Sequence, residues 1–205
     1  QTEEKWNKEL SLIDVEANAM QKEIFYTALY HCFIHPNTIS DVNGDYINSN
    51  GEKCNMEGKK YYSTFSLWDT YRAAHPLYTL IQEKRTAEFI NSMLVQYKDH
   101  GYLPIWALWG KETYCMIGNH AIPVIVDAYF KNIQNVDWDL AYEAIVKSST
   151  VSHQNSAFNV LDKYHYLPEN IESQSVSITL EIAFNDWCVV QIEKALIYEF
   201  DFNLF

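Results

Sequence analysis

Residues 86–101 read TAEFINSMLVQYKDHG, and this stretch decides the fold class of the chain. Its apolar side chains recur every three or four residues, at Ile90, Met93 and Tyr97, which is the period of an amphipathic helix. Gly101 stands where a left-handed residue commonly ends such a helix. The stretch therefore predicts a helix that buries one face and ends at Gly101.

The same period recurs on both sides of this stretch. It predicts further helices over residues 17–35, 117–128, 140–147 and 175–196. The first of these helices is expected to be buried on a wide apolar face that includes Met20 and Ile24. Asp137 or Asp139 is expected to cap the helix over 140–147. Because helices alternate with loops and not with strands, we predict an all-α fold of paired helices around one core.

The helix predicted over residues 175–196 has two distinguishable faces. We expect its apolar stripe to be the buried face, and this stripe consists of Val176, Leu180, Ala183, Trp187 and Val190. Ser177, Glu181 and Asn185 follow one another at intervals of four on a separate, polar face. That face is suited to lining a cavity.

Residues 38–64 differ from the helical stretches because they are rich in Asn, Gly, Asp and Ser. Asn43-Gly44 and Asn50-Gly51 are turn signals, and Tyr46-Ile47 is a short strand-like run. We predict one long loop that carries a small β-hairpin. Loops of this length often border a binding site.

Composition excludes several classes of function. The 205 residues include 27 acidic and 15 basic side chains, for a net charge of −12, so nucleic acid and anionic membranes are not expected partners. No apolar run is long enough to span a membrane, and Gln1 opens no signal-peptide pattern. Aromatic residues make up 15% of the chain, which suits either carbohydrate recognition or the filling of a bulky core. Both explanations stay open at this point.

Trp68 and Asp69 form the first candidate binding pair. An indole can stack on the C–H face of a sugar, and a neighbouring carboxylate can bind two vicinal hydroxyls. Arg72 follows Asp69 by three residues, close enough to keep the carboxylate ionised. Alternatively, Asp69 is only the N-cap of a helix, and Trp68 packs beside it.

Three further acidic residues are candidates. Glu112 lies in a loop-like stretch before Asn119 and His120, and it can be a general acid, a sugar ligand or a cap for the following turn. Glu181 and Asp186 are five residues apart, roughly 140° around a helix axis. They therefore cannot form a catalytic carboxylate pair by themselves, and we expect one of them to be structural.

Four segments together resemble glycoside hydrolase family 92, the calcium-dependent exo-acting α-mannosidases. They are FYTALYH (25–31), YSTFSLWDTYRAAHPLYTLI (62–81), GYLPIWALWGKETYCMIGNHA (101–121) and SVSITLEIAFNDWC (175–188). The resemblance covers nearly all of residues 4–196. These strings are long and rich in aromatic residues, so chance agreement is not expected.

The family is a two-domain enzyme in which an N-terminal β-sandwich precedes a helical (α/α)6 toroid. The resemblance implies that residues 1–205 are a partial helical catalytic domain, the first part of the toroid, without the β-sandwich and the C-terminal part. It implies release of terminal α-linked mannose, with α-1,2 linkage expected, by calcium-assisted inverting hydrolysis. The implied partners are mannose-containing glycans and the remainder of the same chain, and the implied location is the bacterial periplasm or the outside of the cell.

Site residues follow from the same resemblance. Trp68 and Asp69 would contact the terminal mannose, and three residues would lie near the same pocket: Glu112, Asn119 and His120. Glu181 and Asp186 would line or buttress its wall. The family pattern usually reads Asp-Asp-Trp where this chain has Asn185-Asp186-Trp187, so a hydrogen-bonding role is retained at position 185 more easily than a charged one.

The motifs that carry the family's catalysis are absent from this sequence. Glu-Gly-Asn, Asn-Glu-Pro and Gly-Asn-Asp-Asp strings do not occur in residues 1–205. We therefore assign no certain catalytic residue, with Glu112 as a weak candidate, and expect the calcium ligands outside this chain, with no metal ligand in it. Two alternatives stay open: a non-catalytic helical carbohydrate-binding or scaffold module, and a helical glycosidase or lyase that acts on other sugars.

Overall fold

The computed structural model describes residues 1–154 and 156–202, with side chains described as far as residue 197. The chain divides into two compact units, residues 1–37 and residues 38–205. About 53% of the chain is helical and the strands are short, so the fold is mostly α, as predicted. No helix among the described residues has the length and apolar character needed to cross a membrane.

The first unit is a pair of helices, α1 (Thr2–Leu10) and α2 (Ala19–Cys32). Asn18 caps α2 in a capping box: its side chain accepts a hydrogen bond from the Gln21 backbone, and the Gln21 side chain accepts one from the Asn18 backbone. The ring of Trp6 on α1 packs 4.6 Å from that of Tyr30 on α2.

The burial expected for α2 from its sequence was wrong. Met20 and Ile24, on the predicted apolar face, are 67% and 63% exposed, and Leu29 is the only buried residue of this helix. Apolar spacing identifies a face that can be buried, but it does not say whether a partner covers that face.

The part of the chain that the structure describes contains seven short strands. They are β1 (Asn37–Thr38), β2 (Asp45–Ile47), β3 (Lys53–Asn55), β4 (Tyr62–Ser63), β5 (Phe65–Ser66), β6 (Trp106–Leu108) and β7 (Lys111–Glu112). Strands β2 and β3 pair in antiparallel register with Tyr46 opposite Cys54, which confirms the predicted hairpin in the long loop.

A three-stranded antiparallel sheet, β5-β6-β7, was not predicted from the sequence. Ala107 of β6 pairs with Phe65 on one side and with Glu112 on the other. Trp109 and Gly110 turn the chain between β6 and β7 with φ of 56° and 78°, as a two-residue hairpin turn requires. The sheet therefore joins the segment before Trp68 to the segment around Glu112.

The second unit contains seven helices among its described residues. They are α3 (Leu67–Thr70), α4 (Ala74–Ile81), α5 (Glu83–His100), α6 (Ala121–Phe130), α7 (Trp138–Ser148), α8 (Phe158–Tyr164) and α9 (Ser175–Phe202). Helix α5 ends at Gly101 in the left-handed conformation, as predicted. Of the two aspartates expected to cap α7, Asp137 is the cap, and it accepts from the Leu140 backbone N–H. Helix α6 packs against α4, α5, α7 and α9 and is almost entirely buried.

The prediction of which α9 face is buried was wrong. Val176, Leu180 and Trp187 of the predicted core stripe are 71%, 67% and 58% exposed. The buried residues of α9 include Ile178, Ile182, Asn185, Cys188 and Ile192. Because apolar residues occur on several sides of this helix, its periodicity alone does not identify the side that meets α6.

Candidate sugar-binding site

The turn that carries Trp68 and Asp69 is the four-residue helix α3, which directly follows strand β5. Ser66, and not Asp69, occupies the N-cap position, so the N-cap alternative for Asp69 was wrong. The hydroxyl of Ser66 donates to the Asp69 carboxylate, and the Thr70 hydroxyl donates to the Ser66 carbonyl at 2.8 Å. Trp68 is half-buried and Asp69 is exposed, so both can be reached from solvent.

Glu181 of α9 connects to this turn through several donors. Its Oε1 accepts hydrogen bonds from the Trp68 indole Nε1 and from the Arg72 guanidinium, each at 3.2 Å. The Tyr71 hydroxyl donates to Oε2 at 3.5 Å. One carboxylate thus joins α9 to a segment that precedes it by more than 100 residues.

Arg72 also fixes the two aromatic rings beside it. Its guanidinium carbon lies 4.9 Å from the Trp68 ring centroid and 4.3 Å from the Tyr71 ring centroid. These distances are within the range of a cation–π contact, which stabilises such pairs by about 0.5–1 kcal/mol at exposed sites. The guanidinium therefore orients the indole as well as neutralising Glu181.

His120 lies beneath this cluster at the start of α6 and is buried. Its ring stacks on that of Tyr71 with centroids 4.1 Å apart and planes 10° apart. Burial, and to a smaller extent the positive charge of Arg72, lowers the pKa of His120 to about 4. The imidazole is therefore neutral at pH 7, and its contact with Glu181, 3.2 Å between Nε2 and Oε2, is not an ion pair.

Two asparagines support His120 from behind. The Asn119 backbone N–H donates to Asn185 Oδ1 at 2.8 Å, and Asn185 Nδ2 lies 3.3 Å from His120 Nδ1. The Asn119 side chain donates to the Ser148 carbonyl at 2.9 Å and to the Ser156 hydroxyl at 3.2 Å. Both asparagines are buried, so they support the cluster and do not face solvent.

Glu112 is surrounded by backbone donors. Its carboxylate accepts hydrogen bonds from the N–H groups of four residues, at distances of 2.7–3.0 Å for the shortest contact with each. The four residues are Ile105, Trp106, Thr113 and Tyr114. This geometry favours the turn-capping alternative for Glu112 over the roles of general acid and sugar ligand. The expected loop-like stretch is in fact strand β7.

Asp186 is separated from Glu181, as their spacing predicts. It is exposed and lines a cavity of about 320 Å³ together with Asp162 and His165. Glu181 instead faces Trp68 and Arg72. The structure thus brings together Trp68, Glu181, His120 and Asn119, and leaves Asp186 outside this group.

A cavity of about 400 Å³ adjoins Trp68. Its polar lining comes from Glu172, Gln174 and Ser177, and Met116 is among its apolar lining residues. A volume of this size is within the range of small-ligand pockets. Sequence reasoning missed Glu172, Gln174 and Met116, because a loop residue that lines a cavity only in three dimensions gives no periodic signal.

The described residues contain no group of three or more His, Cys, Asp or Glu side chains that could hold a metal ion. The side chains around Trp68 are suited to the recognition of a small polyhydroxylated ligand. The indole offers a flat apolar surface, and the Asp69 carboxylate and the polar lining of the cavity offer hydrogen-bonding groups.

Comparison with known proteins gives consistent matches. A solved structure of a family GH92 α-mannosidase from Bacteroides thetaiotaomicron superposes with a TM-score of 0.90 at 38% identity, covering 97% of this chain and 27% of that one. A structure of the same enzyme in complex with mannoimidazole superposes with a TM-score of 0.86 at 39% identity, covering 97% of this chain and 26% of that one.

Two other proteins match at lower identity. A family GH92 inverting mannosidase from Bacteroides thetaiotaomicron VPI-5482 has a TM-score of 0.84 at 29% identity, with 95% of this chain and 27% of that one covered. An uncharacterized secreted glycosidase of Arthroderma benhamiae is 28% identical over 95% of this chain and 23% of its own length. The chain thus spans about a quarter of the length of the relatives it matches.

A model of the glycosyl hydrolase family 92 catalytic domain matches residues 1–205. The chain therefore belongs to glycosyl hydrolase family 92.

Proposed function

We propose that this chain is part of the helical catalytic domain of a longer glycosidase that releases terminal α-linked mannose, and that it supplies sugar recognition. The observation that carries the proposal is the arrangement of Trp68 and Asp69. The indole lines a cavity of about 400 Å³, and the exposed carboxylate follows it directly on α3. The membership of family 92 and the likeness to solved α-mannosidases support mannose as the sugar.

The two side chains have complementary roles in this proposal. Trp68 packs its ring against the C–H face of the terminal mannose, and Glu181 and Arg72 hold that ring in place. Asp69 accepts hydrogen bonds from two neighbouring hydroxyls of the same sugar. The Ser66 hydroxyl, which donates to Asp69, limits the rotation of its carboxylate.

The proposed reaction is inverting hydrolysis. A carboxylic acid donates a proton to the glycosidic oxygen as the bond to the anomeric carbon breaks, and a second carboxylate removes a proton from the water that forms the new bond. We assign neither group to this chain. Glu112 is not the proposed acid, because its oxygens accept from four backbone N–H groups.

The proposal also covers the glycosidic linkage that is cleaved, the metal ion that assists and the location of the enzyme. We propose α-1,2 linkage and calcium from the family resemblance. When bound, the calcium would contact sugar hydroxyls and help to distort the ring. The described residues bring together no group of side chains that could hold it, and we expect its ligands elsewhere in the longer protein. The description of the Arthroderma relative as secreted supports action outside the cytoplasm, and we propose the bacterial periplasm or secretion.

The test is a substitution of Asp69 in the complete protein. Because it removes the charged acceptor, we expect Asp69→Asn to lower kcat/KM for an α-mannoside by about 100-fold or more. Asp14→Asn, in the exposed segment before α2, changes charge equally and serves as the control. Turnover close to that of the unmodified protein in Asp69→Asn would contradict the proposal.

A carbohydrate-binding module without hydrolysis is the second candidate. The position of Glu112 favours it, since backbone N–H groups hold the carboxylate that the sequence indicates as a weak candidate for the general acid. Calorimetric titration of the 205-residue chain with mannose, beside a turnover assay of the complete protein, separates the two functions. Binding without turnover in the complete protein supports the module, and turnover supports the enzyme.

A further inference from the structure

We propose that Asn185 is a positioning residue of the sugar site: its amide fixes the ring proton of His120 on Nε2, so that a neutral imidazole faces the carboxylate that holds Trp68. The inference rests on the proposed function, because Trp68 is the proposed sugar platform. It concerns a residue that touches no substrate and acts through His120 and Glu181.

The orientation of the Asn185 amide follows from its partners. The Asn119 backbone N–H can only donate, and it lies 2.8 Å from one end of the amide, which must therefore be the oxygen. The NH2 end then lies 3.3 Å from His120 Nδ1. Since an NH2 group donates, Nδ1 must be the unprotonated acceptor, and the single ring proton of the neutral imidazole is on Nε2.

Nε2 is the nitrogen that faces Glu181. It lies 3.2 Å from Oε2, but its N–H direction is not well aligned with that oxygen. Nε2 is therefore buried without a well-formed hydrogen bond. Among the described residues, the other titratable and charged groups near the ring are Arg72 and Tyr71, from the segment after α3. Cys188, one turn beyond Asn185 on α9, interacts with Tyr71.

The neutral form matters because Glu181 has several donors to satisfy. Its Oε1 already accepts from both Trp68 and Arg72. An imidazolium at His120 would be a buried second cation beside the partly exposed Arg72 and would compete with it for the same carboxylate. The carboxylate would then be drawn away from the Trp68 indole, and the proposed platform would lose its fixed orientation.

Asn185→Asp tests this mechanism with almost no change of shape. An aspartate at this position still accepts from the Asn119 backbone N–H, but it has no proton to donate to Nδ1. The ring must then carry its proton on Nδ1, or on both nitrogens, to satisfy the new carboxylate. Asn170→Asp adds the same charge at an exposed position and is the matched control.

The first measurement is the ring ¹⁵N spectrum of histidine-labelled complete protein, with the His120 signals assigned by their loss in His120→Gln. We expect a neutral ring protonated on Nε2 at pH 7. In Asn185→Asp we expect protonation of Nδ1 and a midpoint raised by at least one pH unit, with no change in Asn170→Asp. A ring of the unmodified protein that is cationic or protonated on Nδ1 at pH 7 overturns the proposal, whether or not the variant folds.

The second measurement is the pH profile for an α-mannoside. We expect Asn185→Asp to raise KM about tenfold with a smaller change in kcat, and to introduce a pH-dependent step at the raised midpoint of His120, above about pH 5. An unchanged profile and KM would overturn the positioning role. The ¹⁵N spectrum needs no substrate, so the two proposals can fail separately. Absence of mannosidase activity would contradict the proposed function but not this inference. A different tautomer of the His120 ring would contradict this inference but not the proposed function.

Discussion

Glu112 and Glu181 show how two carboxylates of similar burial differ in their partners. Glu112 accepts from backbone N–H groups that lie close to it in sequence, so it shapes a local turn. Glu181 accepts from side chains more than 100 residues away, so it joins two distant elements. Nothing in either residue's local sequence distinguishes these roles, because the difference lies in which donors the fold brings near.

Substitution of Glu112 separates a cap from a general acid. Because an amide cannot match a carboxylate toward four backbone N–H donors, we expect Glu112→Gln to cost about 2 kcal/mol of unfolding free energy. In a chain of this length that corresponds to roughly 4–8 °C in Tm. Calorimetry of the variant measures the loss, with the exposed Glu169→Gln as control. An unchanged Tm together with a 100-fold fall in kcat would instead identify Glu112 as the acid.

Because the protein has buried histidines, we expect its unfolding free energy to fall in acid. Burial lowers the pKa of His75 to about 4, against about 6.5 in an unfolded chain. Between these values the unfolded state binds the proton and the folded state does not, so stability falls as pH falls from 6.5 to 4. His75 alone contributes about 3 kcal/mol to this loss, at 1.36 kcal/mol per pKa unit.

The measurement is urea unfolding at several pH values. In His75→Phe, where the new ring can pack against Tyr78 and Phe89, we expect a smaller fall in unfolding free energy between pH 6.5 and 4. The exposed His31→Gln should leave the slope as it is. Identical slopes for His75→Phe and the unmodified chain would show that His75 is not held neutral.

At the scale of elements, the ends of helices were predicted better than their faces. Gly101 ends α5 and Asp137 caps α7, and both features depend on residues adjacent to the helix end. The buried face of α9 depends on contact with α6, which begins more than 50 residues earlier. The sheet β5-β6-β7 was missed for the same reason, since β5 and β6 lie far apart in sequence.

The cap of α7 gives a sharp comparison between two neighbouring aspartates. Asp137 accepts a hydrogen bond from the Leu140 backbone N–H at 3.1 Å, whereas Asp139 lies inside the first turn. We expect Asp137→Ala to lower the unfolding free energy by about 1 kcal/mol. Asp139→Ala should cost less, because it removes only a favourable charge near the helix N-terminus. Equal losses in chemical denaturation would contradict the assignment of the cap.

At the scale of the whole molecule, the exposed stripe of α9 is the most unusual surface. Val176, Leu180, Trp187 and Val190 are 41–71% exposed and follow one another at helical spacing. Monomeric proteins rarely expose a continuous apolar patch of several hundred Å². In the proposed longer enzyme, the remainder of the catalytic domain would cover this stripe.

The isolated 205-residue chain should therefore associate with itself. We expect sedimentation to detect oligomers and a hydrophobic dye to bind, and the double substitution Leu180→Lys and Trp187→Lys to reduce both. Val42→Lys, at a fully exposed site outside the stripe, is the control. A monomer that binds no dye would show that the exposed stripe of α9 does not have to be covered by another part of the protein.

Much of this protein was determined by its sequence alone. The helical period, the turn signals of the hairpin, the caps and the aromatic-rich segments that resemble family 92 are all local, because each depends on residues within a few positions of one another. They are readable without knowledge of packing, and they were sufficient to predict the fold class and the family.

Only the tertiary structure decided how the candidate site is assembled. It placed Glu181 against Trp68 and Arg72, set His120 beneath them through Asn185, and turned the Glu112 carboxylate toward the backbone. The contacts of Glu181 and His120 join residues of different elements, and they depend on the packing of α6 against α9. No local pattern encodes which donors will meet a given carboxylate, because that depends on which helix faces are buried together.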